Sequence, residues 1–510
     1  MLIGQLVLFD VLEIPIQESF YNGELLITNF FVFGWKRIIA ILGLVAITGL
    51  LTYFHPVHWK HVDPLPRYVI LTLLLIQTYA ITFLEYNHYH DKWFWADRIL
   101  LAVLAIYTAF NPYALVIYLV ELVLLVGQLE FPSVIGYDHT HKSLVMPLLI
   151  SFWVFLVIHR LSGRRVKWPL YTLFIFSLLA SWYLQAGIAK VKLNWQTDNN
   201  LYNMLAASVD AGWLHNLSEI ALQSVATLVQ ENYLLLQYGG LAVELIFPLL
   251  LVINRRIAIF CFINFIIFHL MVYVVSGIFF WQWIIMETVI IAVLLYRPQS
   301  TAVLFTRPYW ALFALLLILN PLFIHITPLA WLDCGFINSY TFYLRNDTGE
   351  KQRLDSSFFS PYDVGFAKNR FTYTNPDNVV AKTLGQCHDA QVVQLVEQWS
   401  ENSEADNREK VRNYKAEFGM NNYNEQRAEK FRRFLTEFTQ NKLRYDPQFI
   451  SQVDVPIHMQ QGKNQQNFSF DEANQLIIVY EEKVVRPDLK FFSLKTDSVR
   501  MDVSPQQAVR

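Results

Sequence analysis

The stretch PLYTLFIFSLLASWYLQAGIAKVKLNW, residues 169–195, decides how this chain is read. From Pro169 to Ala189 it carries no charged side chain, and two lysines, Lys190 and Lys192, follow directly. A helix rises 1.5 Å per residue, so roughly 20 apolar residues cover the ~30 Å hydrocarbon core of a bilayer. The segment has the length and the composition of a membrane crossing that ends at a water interface.

Comparable stretches lie on both sides of it, at Ile38–Phe54, Tyr68–Leu84, Ile99–Leu129, Leu144–Ile158, Tyr233–Ile253, Ile257–Val275, Ile278–Tyr296 and Tyr309–Ala330. Of the 510 residues 54% are hydrophobic and only 16% charged, against roughly 25% charged in soluble proteins. This excludes a disordered chain, a disulfide scaffold and an ordinary cytosolic enzyme. The net charge of −2 supplies no basic field for nucleic acid. The expected fold is a polytopic α-helical membrane protein of about nine crossings with a C-terminal extramembrane α+β domain. Residues 1–35 form an amphipathic or peripheral segment: MLIGQLVLFDVLEIPIQ has acids and lacks the basic start of a signal peptide. Residues 36–333 form the transmembrane domain and 334–510 the outer domain.

Asn111-Pro112 interrupts the segment 99–129, leaving nine or ten crossings. Lys and Arg accumulate on the cytoplasmic side. Nine crossings put 12 of them with the N-terminus and 5 opposite, and ten give a split of 7 to 10. The sharper asymmetry favours nine crossings in a cell or inner membrane, with the N-terminus cytoplasmic. Either count puts the loop after Ala189 and the C-terminal region outside the cytoplasm.

Residues 334–510 hold 47 of the 82 charged side chains. SYTFYLRNDTGEKQRLD reads as two strands joined by a polar turn at Asn346–Gly349. Residues 388–402 and 405–440 read as amphipathic helices, and IIVYEEKVV and LKFFSLKTDSVRMDV as strands. Cys261 reads as a small buried residue. Cys334 and Cys387 share the outer domain, where an oxidising compartment permits a disulfide and two free thiols are the alternative.

Ionisable groups at membrane depth are costly and are therefore functional candidates. Lys190 ends its helix, with Ala186 and Gly187 one turn back. It either snorkels to water or is desolvated by a second helix packing on those small residues. A desolvated lysine loses its proton more readily and becomes a base. Glu244, His269 and Glu287 lie within other crossings, where each can be satisfied structurally by a neighbouring helix; alternatively Lys190, His269 and Glu244 converge on one cavity for a flat apolar ligand. His139 and His141 in YDHTHK are spaced as HxH, but no carboxylate or cysteine partner has metal-ligand spacing, so no metal is expected. YNHYHD at 86–91 repeats the pattern on the opposite side. P-loop, Rossmann and HExxH motifs are absent from the sequence.

Ala186-Gly187-Ile188-Ala189-Lys190 followed by Trp195, Asp138-His139 upstream, Phe268-His269 in a later crossing, and TFYLRNDTGEKQRLDSSFF after the last crossing occur in this order. Together they resemble the vitamin K-dependent gamma-glutamyl carboxylases and the bacterial membrane proteins sharing their horizontally transferred transmembrane (HTTM) domain. The likeness runs from about residue 130 to 375. It implies an integral membrane carboxylase, a carbon–carbon lyase, that converts peptide glutamate to gamma-carboxyglutamate. Reduced vitamin K of the menaquinol or phylloquinol type would be its cofactor, CO2 and O2 its co-substrates, and a secreted or membrane peptide its partner. Lys190 corresponds to the base that deprotonates the hydroquinone, and His139 and His269 to residues shaping the quinone pocket; Trp195 and Glu244 join the pocket. Three departures stand out: Asp138 replaces an amide, Ala189 a second lysine, and the outer domain is shorter than in the animal enzymes. The alternatives are a membrane-anchored, non-catalytic binding or scaffold protein on the same fold, and a transporter.

Overall fold

The computed structural model describes residues 34–54, 56–83, 94–128, 144–324, 326, 329–360, 362–369, 371–379, 404–444, 455–459, 468–469, 472–485 and 488–503. The chain is mostly helical. In order, the longer helices described in the apolar part are α1 (Gly34–Phe54), α2 (Pro64–Thr82), α3 (Phe94–Phe110), α4 (Leu115–Gln128), α5 (Met146–Leu161), α6 (Trp168–Lys192), α7 (Asn200–Asp210), α8 (Glu219–Glu231), α9 (Tyr233–Leu245), α10 (Arg255–Ser276), α11 (Trp281–Tyr296) and α12 (Arg307–Phe323).

Among the described residues four helical stretches are long and apolar enough to cross a membrane: Pro64–Thr82, Trp168–Lys192, Tyr233–Leu250 and Arg255–Ser276. A fifth is added if Trp281–Tyr296 and Pro298–Phe305, bent by 106°, form one span. Ile38–Phe54, Pro112–Leu125, Met146–Leu161 and Arg307–Phe323 are apolar but shorter. Fewer helices thus reach full length than the nine stretches read from the sequence, because capping and proline interruptions cut several of them. Asn111 closes α3: its side chain accepts from Tyr113 N at 3.2 Å and donates to Thr52 Oγ1 at 3.0 Å. Pro112, which has no N–H to donate, opens a 3-10 turn before α4. Pro248 likewise follows the break after Leu245. The stretch from Ile278 enters helix only at Trp281, and that from Tyr309 leaves it at Phe323.

α6 is the axis of the bundle and is buried along most of its length. Asn320 of α12 donates to Ser177 and Ser181 of α6 at 3.2 and 3.1 Å, a buried polar staple between helices. α10 shows the opposite pattern: one side is buried around Phe262 and Phe265, while Phe260, Ile263, Ile267, Leu270 and Val274 are exposed. An apolar face of that size needs a non-aqueous surrounding.

The C-terminal part contains β1 (Phe336–Asn346), β2 (Lys351–Leu354), α13 (Glu404–Phe418), α14 (Glu425–Arg444), β3 (Ala473–Val485) and β4 (Phe491–Asp502). The strands form one antiparallel sheet in the order β2-β1-β3-β4. β1 and β2 join through the expected turn, where Gly349 takes φ +89°. The helix expected over 405–440 is two helices, divided between Phe418 and Glu425. A phenylalanine cluster of Phe359, Phe366, Phe371, Phe431 and Phe438 fills the space between sheet and α14. The sheet sits at the end of the bundle where α6 and α10 finish. There Lys483 of β3 pairs with Asp210 of α7 at 2.8 Å, and Asn203 donates to Asp333 O at 3.0 Å. Two amphipathic helices between the crossings, α7 and α8, were not expected from the sequence.

Candidate functional site

The site begins where α9 leans on α6. A Cβ added at Gly187 would lie 2.8 Å from Leu245 Cδ2 and 3.0 Å from Glu244 Cβ, so only glycine lets the two backbones come this close. One turn further along α6, Lys190 Nζ donates to Glu244 Oε1 at 2.5 Å. The Lys190 side chain is 14% exposed and that of Glu244 4%. The amine therefore does not snorkel; it is held inside the bundle against a carboxylate.

Beyond Lys190 the helix ends in a left-handed turn. Asn194 takes φ +54°, a conformation asparagine tolerates, and Trp195 N closes the turn on Lys190 O at 3.0 Å. The turn swings Trp195 back, so that Lys190 Nζ lies 5.2 Å from its ring centroid and 5.5 Å from that of Phe268. Both rings attract a cation through their faces. Gln237 of α9 fixes the loop by donating to Trp195 O and Asp198 O, each at 3.0 Å.

A second polar group faces this pair. Tyr183, two turns before Lys190 on α6, has its hydroxyl 2.7 Å from His269 Nε2 and 2.6 Å from Glu287 Oε1. With the phenolic proton donated to the carboxylate, the phenol oxygen is left to accept from Nε2–H, and in that tautomer Nδ1 is the ring's acceptor. His269 Nδ1 and Glu244 Oε2 are buried and have no hydrogen-bond partner among the described residues. Such atoms are expensive to leave unmade and mark where a ligand's donors belong.

Lys190, Glu244, His269, Tyr183, Trp195 and Phe268 all line one cavity of about 550 Å³. Its remaining wall is mostly apolar, with Trp182, Trp283 and Phe280 among the lining residues, and Asn200, Asn264 and Asp333 add polar groups. The size is that of a cofactor or drug-like ligand site. Glu287 does not line it; fully buried, it stands behind the wall, bonded to Tyr183 and 3.7 Å from His269 Nε2.

The wall at Ile278–Phe280 is tied to the C-terminal part. Phe279 N donates to His458 O at 2.7 Å, Ile278 bridges Met459, and the Phe280 and His458 rings lie 5.1 Å apart. Asp363 Oδ2 accepts from the His458 and Met459 backbone N–H groups at 3.1 and 3.2 Å. Burial pushes the Asp363 carboxyl up to about 7 despite those donors. Burial, aided by Lys368, pushes the His458 imidazole down to about 3.

Of the residues singled out in the sequence, Lys190, Glu244, His269 and Trp195 share the cavity, and Glu287 stands behind it. His139, His141, the 86–91 cluster and Cys387 lie outside the described residues. Cys334 is buried, with Sγ 3.4 Å from Phe336 O, and is a free thiol among the described residues, which do not include Cys387. Sequence reading passed over Tyr183, which resembles an ordinary aromatic residue until its partners are seen. It also passed over Glu121, an acid in mid-crossing that is 5% exposed, and it placed Arg98 in a cytoplasmic loop, although that residue is 1% exposed. Among the described residues no group of three or more His, Cys, Asp or Glu side chains is arranged for a metal ion. Set against protein-family models, curated proteins and solved structures, the chain matches none of them.

Proposed function

We propose that this protein is an integral membrane, quinol-dependent carboxylase-like enzyme in which Lys190, paired with Glu244, is the base. The observation that carries the reading is the amine–carboxylate pair at 2.5 Å on the wall of a mostly apolar cavity rich in aromatic side chains. A lysine acts as a base only when uncharged. Proton transfer within the pair leaves the amine neutral beside an acid that can take part in the next transfer. The rings of Trp195 and Phe268 then hold whatever positive charge develops on the nitrogen.

The residues fit a reduced naphthoquinone. Its two hydroxyls are donors, and the wall offers two unpartnered acceptors, Glu244 Oε2 and His269 Nδ1. The aromatic lining suits a flat ring. When bound, the hydroquinone supplies with O2 the strong base that takes a γ-proton from glutamate, CO2 adding at that carbon and quinone epoxide and water being the co-products. For its part the chain binds and orients the ring, removes the first proton at Lys190 Nζ, and keeps water out.

The reading includes nine crossings, with α3 and α4 counted as one unit broken at Asn111, a cytoplasmic N-terminus and the sheet outside. This orientation supports a secreted or membrane peptide as substrate, since the sheet and the Lys190 end of α6 lie together. The deciding experiment is CO2 incorporation into glutamate-containing peptides by the purified protein with reduced vitamin K. A second reading, a non-catalytic membrane binding protein, is favoured by the fact that Glu244 already neutralises Lys190. It predicts hydroquinone binding without incorporation.

A further inference from the structure

The cavity is not closed on all sides. Its lining includes Leu235 and Gly239 of α9 and Ile267 and Met271 of α10. These lie on the outward faces of their helices: Leu235 is 74% and Ile267 50% exposed. The gap between α9 and α10 therefore joins the buried polar pair to the apolar outer surface of the bundle. At Gly240 the helices touch, a Cβ there meeting Phe268 Cε2 at 3.6 Å, whereas a Cβ at Gly239 would meet nothing within 4 Å. Glycine inside a helix costs about 0.5–1 kcal/mol relative to alanine, so its side-chain-free surface here calls for a reason other than helix packing.

We infer that the site is loaded sideways through this gap by an amphiphile whose hydrogen-bonding head reaches Glu244 and His269 and whose hydrocarbon tail lies across Gly239 between α9 and α10. Two independent observations support it. The head is specified by the unpartnered acceptors Glu244 Oε2 and His269 Nδ1, on residues 3% and 6% exposed. The tail is specified by the gap itself, which opens among exposed aliphatic side chains. The gap faces the same apolar surroundings as the outer surface of the bundle, and a hydrocarbon tail lying in it packs against those side chains by van der Waals contact, which a tailless ring cannot reach. The inference rests on the quinol reading only for the identity of the head; the route and the tail follow from the gap.

The test uses Gly239→Phe, whose Cβ meets nothing within 4 Å, with Gly43→Phe as control, since a Cβ at Gly43 also meets nothing within 4 Å. The full chain in lipid nanodiscs is given tritiated menadiol, which has no tail, or tritiated phylloquinol, which has one, both kept reduced, and binding is followed in time by scintillation proximity. The expected result is a fall of at least about tenfold in the binding rate of phylloquinol to Gly239→Phe, with menadiol and the Gly43→Phe protein within about twofold of wild type. An equal effect on both probes, or none on either, overturns the inference. If wild type binds neither probe, the quinol reading fails, and the same comparison with a spin-labelled stearyl alcohol, whose hydroxyl is a donor, decides the route. Alcohol binding weakened by Gly239→Phe upholds the inference; alcohol binding that is unaffected or absent overturns it.

Discussion

Lys190 Nζ and Glu244 Oε1 lie 2.5 Å apart, on two helices that meet where the Leu245 side chain and Glu244 Cβ pack on Gly187. The proposed chemistry depends on this contact. Lys190→Ala removes the proposed base, and general-base groups contribute roughly 10²–10⁴-fold. Carboxylation is expected to fall by at least about 100-fold, with the protein still folded and inserted. Activity retained in Lys190→Ala, measured by CO2 incorporation, would sink the assignment.

Gly187→Val forces Leu245 and Glu244 away from α6. Overpacking of this kind costs about 1–3 kcal/mol. The expected outcome is a lower thermal midpoint together with weaker hydroquinone binding. An unchanged midpoint would mean that α9 does not press on α6 as described.

Tyr183→Phe strips the bridge between His269 and Glu287, leaving a buried carboxylate and imidazole unsatisfied. The loss is expected to be about 1–3 kcal/mol of stability. Binding of the hydroquinone should also weaken, because His269 loses the partner that fixes its tautomer. Phenylalanine keeps the ring packed on Phe265, so a destabilisation rescued by nothing but the hydroxyl separates hydrogen bonding from packing.

The strap at 455–459 makes stability sensitive to acid. The His458 imidazole is held neutral down to about 3, whereas unfolded histidine protonates near 6.5. Below about 6.5 the unfolded chain therefore binds more protons than the native one, and stability falls with pH at up to about 1.4 kcal/mol per unit from this group. Asp363 acts in the opposite sense: its carboxyl is raised to about 7, so between about 4 and 7 its contribution shrinks as pH rises. His458→Phe should flatten the acid side of a melting-point profile; a profile unchanged from wild type would remove the strap from the account.

The orientation can be read with an impermeant maleimide. In intact cells of a Cys387→Ser background, a cysteine replacing Glu350 in the β1–β2 turn should be labelled, and one replacing Ser300 should not. The reverse pattern inverts the chain.

How much of this was legible in the sequence differs from element to element. The apolar run of α6 was expected over Pro169–Ala189 and is a helix over Trp168–Lys192, because a long uncharged run has few alternatives. The strand pair at 336–354 followed from alternation and from a glycine at the turn. Helix ends inside apolar runs were harder. Nothing in hydropathy marks the cap at Asn111 as deeper than an ordinary loop, and the burial of Arg98 and Glu121 depends on neighbours far along the chain. Tyr183 was invisible for the same reason: its partners lie 86 and 104 residues away.

By itself the sequence determined that this chain has an apolar helical part too hydrophobic for water and a charged C-terminal part with a sheet, since residue transfer energies and periodicity are local and additive along the chain. It also singled out Lys190, Glu244, His269 and Glu287 as ionisable groups among apolar residues, but not Glu121 or Arg98. Only the tertiary structure decided that Lys190 is held by Glu244 rather than released to the interface, that Tyr183 joins His269 to Glu287, and that the cavity opens between α9 and α10. Those facts depend on how close two backbones come at Gly187 and how far apart they stay at Gly239, and distances between helices are set by packing across the whole bundle.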